Sequence, residues 1–169
     1  MPAAPRGVPA HPDAMLNRFA RALFTRLLTP IARGLLALRI SPDAVTLVGT
    51  LGVAFGALAF YPRGEFFWGT VVITAFVFSD TIDGIMARLQ GRPSVWGAFL
   101  DSTLVRFGDA AVFSGLILFY ATHPAQRWAT TMTALALACL VLGQIVSYAR
   151  ARAEGLGMTA SVGVAERAD

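Results

Sequence analysis

The sequence predicts an all-α protein, a bundle of transmembrane helices preceded by an amphipathic juxtamembrane helix. Of its 169 residues, 56% are hydrophobic and 14% charged, and the mean hydropathy is +0.61. That balance is too apolar for an ordinary soluble domain. The apolar residues gather into four stretches, each long enough to cross a bilayer as a helix. Basic residues, every one an arginine, lie mostly outside those stretches, chiefly before the first and after the last, and are concentrated on one side.

In chain order, MPAAPRGVPAHPDA at 1–14 is rich in Pro and Ala without an apolar core, and reads as a disordered tail rather than a signal peptide. Residues 15–40 have helical periodicity, with Leu16, Phe19, Leu23, Leu27 and Ile31 on one face. Arg18, Arg21, Arg26 and Arg33 take the other face, the pattern of a helix lying in the headgroup layer. Pro30 is expected to kink or divide this helix. The spans follow at about 44–62, 66–89, 97–121 and 128–149, and residues 41–154 form one transmembrane core. Trp128 stands where an interfacial aromatic anchor belongs. The loops at 63–65 and 122–127 carry one arginine each. The opposite side carries Arg39, Arg88, Arg92, Arg150, Arg152 and Arg167 together with the arginines of the amphipathic helix. The positive-inside rule makes that side cytoplasmic, in a multi-pass protein of the cell membrane. Residues 155–169 read as a cytoplasmic loop. Cys139 lies in an apolar run and reads as a small buried hydrophobe, with no disulfide partner in the chain.

The acidic residues are the anomaly. SDTIDGIMARLQGRPSVWGAFLDSTLVRFGDA, residues 79–110, places four aspartates between two apolar runs. An ionised aspartate facing lipid near the bilayer centre costs about 3 kcal/mol, so these side chains are expected to share a polar cavity. Helical steps of three and four align Asp80, Asp83, Gly84, Ala87 and Arg88 in one stripe, and Gly97, Asp101, Val105 and Gly108 in another. A short turn at 90–96 lets the stripes face each other. Converging carboxylates suit a hard cation, Mg²⁺ or Mn²⁺, and no clustered Cys or His competes for it. Arg88 suits either a neutralising pair with Asp80 or Asp83 or a substrate phosphate. A structural ion-pair network, a proton path and a cation channel are the alternatives to a metal site.

The string Asp80-x2-Asp83-Gly84-x2-Ala87-Arg88-x8-Gly97-x3-Asp101 resembles the defining motif of the CDP-alcohol phosphotransferase (CDP-alcohol phosphatidyltransferase) family. The segments TPIARGLL, SPDAVT, WGAFLDSTL, QIVSYARARAEG and VAERAD are similar to the bacterial branch that uses an inositol phosphate as acceptor. The resemblance implies transfer of a phosphatidyl group from CDP-diacylglycerol to inositol phosphate with release of CMP, in phospholipid biosynthesis. It implies two divalent cations held by Asp80, Asp83 and Asp101. It implies that Asp43, Ala44, Val45, Thr46, Gly84, Arg88 and Ser94 hold CDP-diacylglycerol, and that Arg150, Arg152 and Arg167 hold the acceptor phosphate. It further implies a homodimer, and no nucleic-acid partner is expected.

Two features depart from the family pattern. The family's fourth aspartate, a metal ligand and the proton acceptor, should occupy residue 105, where this chain has Val105. Asp109 lies one turn further along, a poor spatial substitute. The family also has six spans where four are present, so a fragment or a pseudoenzyme is expected. Two further readings therefore stay open beside the first: the same chemistry with another acceptor, such as glycerol phosphate or serine, and a non-catalytic protein that binds the CDP-lipid.

Overall fold

The computed structural model describes residues 12–91 and 94–158, with side chains from Thr25 onward. The expected tail at 1–11, the closing segment at 159–169 with Arg167, and Arg92 lie outside the described residues. Helices account for nearly all of the rest, and no strand occurs among the described residues. They are α1 (Pro12–Ala37), α2 (Pro42–Phe60), a 3-10 turn (Tyr61–Arg63), α3 (Phe66–Leu89), α4 (Val95–Thr122) and α5 (Ala129–Gly155). Among the described residues four segments are long and apolar enough to cross a membrane: Pro42–Arg63, Phe66–Leu89, Val95–Thr122 and Ala129–Gly155.

Local chemistry sets the helix ends. Ser41 caps α2, its Oγ accepting from the Ala44 amide at 3.2 Å, with Pro42 at the first position and Asp43 in the first turn. Ser94 caps α4 in the same way, accepting from the Gly97 amide at 2.8 Å. Gly64 closes the 3-10 turn at φ +78°, a conformation that costs glycine little. Pro30 does not divide α1, which is one continuous helix through that residue. α5 runs past its apolar stretch to Gly155, because Arg, Ala and Glu are good helix formers.

The chain separates into two compact units, Met1–Gly49 with Val77–Asp101, and Thr50–Phe76 with Ser102–Asp169. In the first, Ala32 of α1 and Ile85 and Met86 of α3 form a buried cluster. Leu28, Leu35, Leu36, Val45 and Ile82 pack against it, so α1 is anchored beside the end of α3. In the second, α2 and α4 approach backbone to backbone: a Cβ on Gly115 would stand 2.6 Å from the Ala57 carbonyl oxygen. Small residues permit such contacts between membrane helices. Tyr61, Phe66 and Phe119 form an aromatic knot there, with centroid separations of 5.4 and 4.7 Å. α4 and α5 are joined by polar side chains: Arg106 donates to Ser147 Oγ at 2.7 Å, and Gln144 donates to the Arg106 carbonyl at 3.3 Å. All three tryptophans, Trp68, Trp96 and Trp128, are exposed and stand within three residues of a helix start.

Candidate metal and phosphate site

The site lies wholly within the first unit. One carboxylate oxygen each from Asp80, Asp83 and Asp101 falls within 4.8 Å of the others. Asp80 and Asp83 come from the polar end of α3 and Asp101 from the second turn of α4. The i, i+3 step puts the α3 pair on one face. Asp83 is buried at 7% exposure, Asp80 is exposed, and Asp101 is half-buried. Thr46 of α2 donates its hydroxyl to Asp83 Oδ2 at 2.5 Å. A third helix thus fixes the most buried carboxylate.

Ion pairs among the described residues include Arg106 with Asp109 at 3.1 Å and Arg150 with Glu154 at 2.9 Å. Arg88 is exposed and forms no ion pair with Asp80 or Asp83. Its Nη2 instead comes within 4.0 Å of where a Cβ on Gly84 would stand, and among the described residues nothing else beyond the local helix backbone and chain neighbours lies that close to that point. The neutralising role for Arg88 is therefore not seen. An open space above Gly84 with a guanidinium at its edge is seen instead.

The donor set fits a hard divalent cation. Its donors are carboxylate oxygens, and oxygens around a single Mg²⁺, at about 2.1 Å each, lie up to about 4.2 Å apart. The observed spread of 4.8 Å is close to that limit. Three like charges gathered this tightly repel one another, and a cation relieves that repulsion.

The remaining expected residues divide into two groups. Asp43 approaches the same turn, its Oδ1 3.6 Å from a Cβ placed on Gly97, with Ser94 Oγ at 2.9 Å from that point. Asp43, Ser94 and Gly97 therefore form one small cluster at the start of α4. Val45 packs against the buried apolar cluster and Ala44 is exposed. Arg150 and Arg152 lie exposed on the last turns of α5. Val105, four residues beyond Asp101 on α4, is half-buried and carries no polar side-chain atom. Asp109 is engaged by Arg106. Sequence reasoning missed the Thr46–Asp83 bond and the Ser94 cap; a serine beside proline ahead of an apolar run was the available signal for the cap.

A family model described as CDP-alcohol phosphatidyltransferase matches residues 39–165. The phosphatidylinositol phosphate synthase of Streptomyces avermitilis is 55% identical over 172 residues, covering 99% of this chain and 69% of that one. The protein of the same name from Cutibacterium acnes is 48% identical over 155 residues, covering 92% and 73%. Among solved structures, Mycobacterium tuberculosis phosphatidylinositol phosphate synthase with CDP-DAG bound aligns with a TM-score of 0.78 and 43% identity, over 84% of this chain and 70% of that one. The same enzyme in complex with manganese and citrate aligns with a TM-score of 0.77 and 44% identity, over 83% and 66%. The chain thus spans roughly two thirds of the length of the proteins it matches.

Proposed function

This chain belongs to the CDP-alcohol phosphatidyltransferase family, and from that premise we propose that it serves phosphatidyl transfer from CDP-diacylglycerol to inositol phosphate, releasing CMP. The observation that carries the reading is the convergence of Asp80, Asp83 and Asp101, with Asp83 held by Thr46.

Asp80, Asp83 and Asp101 hold the divalent cations, two of them, Mg²⁺ or Mn²⁺. When bound, these neutralise charge on the donor's diphosphate and orient it for in-line displacement. Thr46 restricts Asp83 to one orientation, as partners of a metal ligand commonly do. Arg88 offers a planar fork to phosphate oxygens across the open surface of Gly84. Asp43, Ala44, Val45, Thr46 and Ser94 line the nucleotide side. The Val45 side chain packs inward against the buried apolar cluster. Arg150, Arg152 and Arg167 receive the acceptor's phosphate. Val105 occupies the position of the family's proton acceptor and takes no proton from the attacking hydroxyl. Loss of a general base commonly lowers a rate about 10²- to 10⁴-fold. The protein acts as a homodimer in the plasma membrane, with this site facing the cytoplasm.

Val105 favours a second reading, in which the chain binds CDP-diacylglycerol with cation and transfers little. Liposomes containing the chain or its Val105→Asp variant, given CDP-diacylglycerol, Mg²⁺ and radiolabelled inositol phosphate, separate the two. Both proteins are expected to bind the donor with Mg²⁺, and the variant to form labelled phosphatidylinositol phosphate. A variant that binds but never turns over, while glycerol phosphate or serine is also left unused, supports the binding protein. Absence of Mg²⁺-dependent donor binding in both would sink the site.

A further inference from the structure

The amphipathic helix carries a cationic recess apart from the aspartate cluster. Arg26 and Arg33 are two turns apart on α1, so both project from one sector of the helix. With Thr29 and Pro30 they line an open recess of about 520 Å³. Both guanidinium groups are exposed, and among the described residues neither pairs with a carboxylate. Thr29 donates its hydroxyl to the Thr25 carbonyl at 2.5 Å, which holds it in the recess wall. The aspartate site contributes no residue to this recess.

The other two sectors of α1 indicate which phosphate the recess meets. Leu28, Ala32, Leu35 and Leu36 face the cluster around Ile85 and Met86 and dock the helix. Leu27 and Ile31 of α1 and Leu38, the first residue past its end, are bare apolar side chains at 66%, 49% and 73% exposure. At 100° per residue Leu27 and Ile31 adjoin the docked face and stand roughly 100–160° round the helix from the arginines. A cationic strip on one side and bare apolar side chains on another suit a helix seated at the boundary of headgroups and acyl chains. A dissolved anion needs only the cationic strip, whereas a lipid layer engages both.

We propose that Arg26 and Arg33 bind the headgroup phosphate of an anionic phospholipid while Leu27, Ile31 and Leu38 seat the helix in the neighbouring acyl layer, a lipid site separate from the aspartate cluster. The two guanidinium forks suit the tetrahedral oxygens of a phosphate diester. The proposal does not depend on any catalytic assignment.

Native mass spectrometry of the detergent-purified full chain tests it, with phosphatidylglycerol and phosphatidylcholine of identical acyl chains titrated separately. The unsubstituted chain is expected to retain phosphatidylglycerol more tightly than phosphatidylcholine. Arg26→Gln/Arg33→Gln is expected to weaken phosphatidylglycerol retention about tenfold to thirtyfold, the scale of two basic groups at an anionic lipid surface. Arg63→Gln/Arg127→Gln removes the same charge elsewhere and is expected to leave the preference intact, with melting temperatures confirming that both variants fold. Equal retention of the two lipids by the unsubstituted chain would overturn the proposal, as would equal losses in the two double variants. Full displacement of phosphatidylglycerol by millimolar inorganic phosphate would overturn it too, leaving a site for free anions.

Discussion

Thr46 on α2 donates its hydroxyl to Oδ2 of Asp83 on α3, 37 residues away, across 2.5 Å. The bond ties the buried member of the carboxylate cluster to a helix that supplies no carboxylate to it. Thr46→Val keeps the shape of the side chain and removes the donor. A buried acceptor left without its partner costs about 1–3 kcal/mol, and a disturbed ligand partner commonly costs 10- to 100-fold in metal affinity. Thr46→Val is therefore expected to weaken Mn²⁺ binding by about that factor in a paramagnetic titration, while Thr46→Ser stays close to the unsubstituted chain.

Removal of one carboxylate tests the cluster directly. Asp101→Asn leaves a neutral, weaker oxygen donor in place of an anion, on a different helix from Asp80 and Asp83. It is expected to abolish Mg²⁺-dependent CDP-diacylglycerol binding in an equilibrium assay, and a chelator is expected to do the same to the unsubstituted protein. Donor binding that persists unchanged in both conditions would remove the cation from the site.

Val105 and Asp109 separate by a paired substitution. Val105→Asp is expected to raise turnover about 10²- to 10⁴-fold. Adding Asp109→Asn to that variant is expected to leave turnover unchanged, because Asp109 is paired with Arg106 at 3.1 Å. A collapse of turnover in the double variant would make Asp109 the proton acceptor instead.

Gly115 and Gly108 are both buried on α4 but differ in what they face. A Cβ at Gly115 would meet the Ala57 carbonyl oxygen at 2.6 Å, a backbone atom that moves only with its helix. At Gly108 the nearest atom is Val53 Cγ1 at 3.6 Å, an ordinary contact. Gly115→Ala is expected to destabilise the protein by about 1–3 kcal/mol, the usual range for overpacking, and Gly108→Ala to be tolerated. Thermal melts in detergent measure the difference.

The apolar stretches were legible because hydropathy over twenty residues is a strong signal, and four helices long and apolar enough to cross a membrane contain them. Their ends were less so. α4 starts at Val95 because Ser94 caps it, and α5 reaches Gly155 on helix propensity rather than hydropathy. The aspartate cluster could be read because each of its helices repeats on a fixed step. Nothing periodic links Thr46 to Asp83, so their bond appears only when the chain has folded. α1 looked two-sided in sequence, but its apolar residues serve a docked sector and a bare one, and a single amphipathic pattern merges the two.

The tryptophans have a spectroscopic consequence. Since Trp68, Trp96 and Trp128 are all exposed near helix starts, the intrinsic fluorescence of this chain contains no contribution from a tryptophan buried in its interior. Quenchers carried at graded positions along lipid acyl chains would therefore act as a ruler for the depth of helix ends, with no label attached.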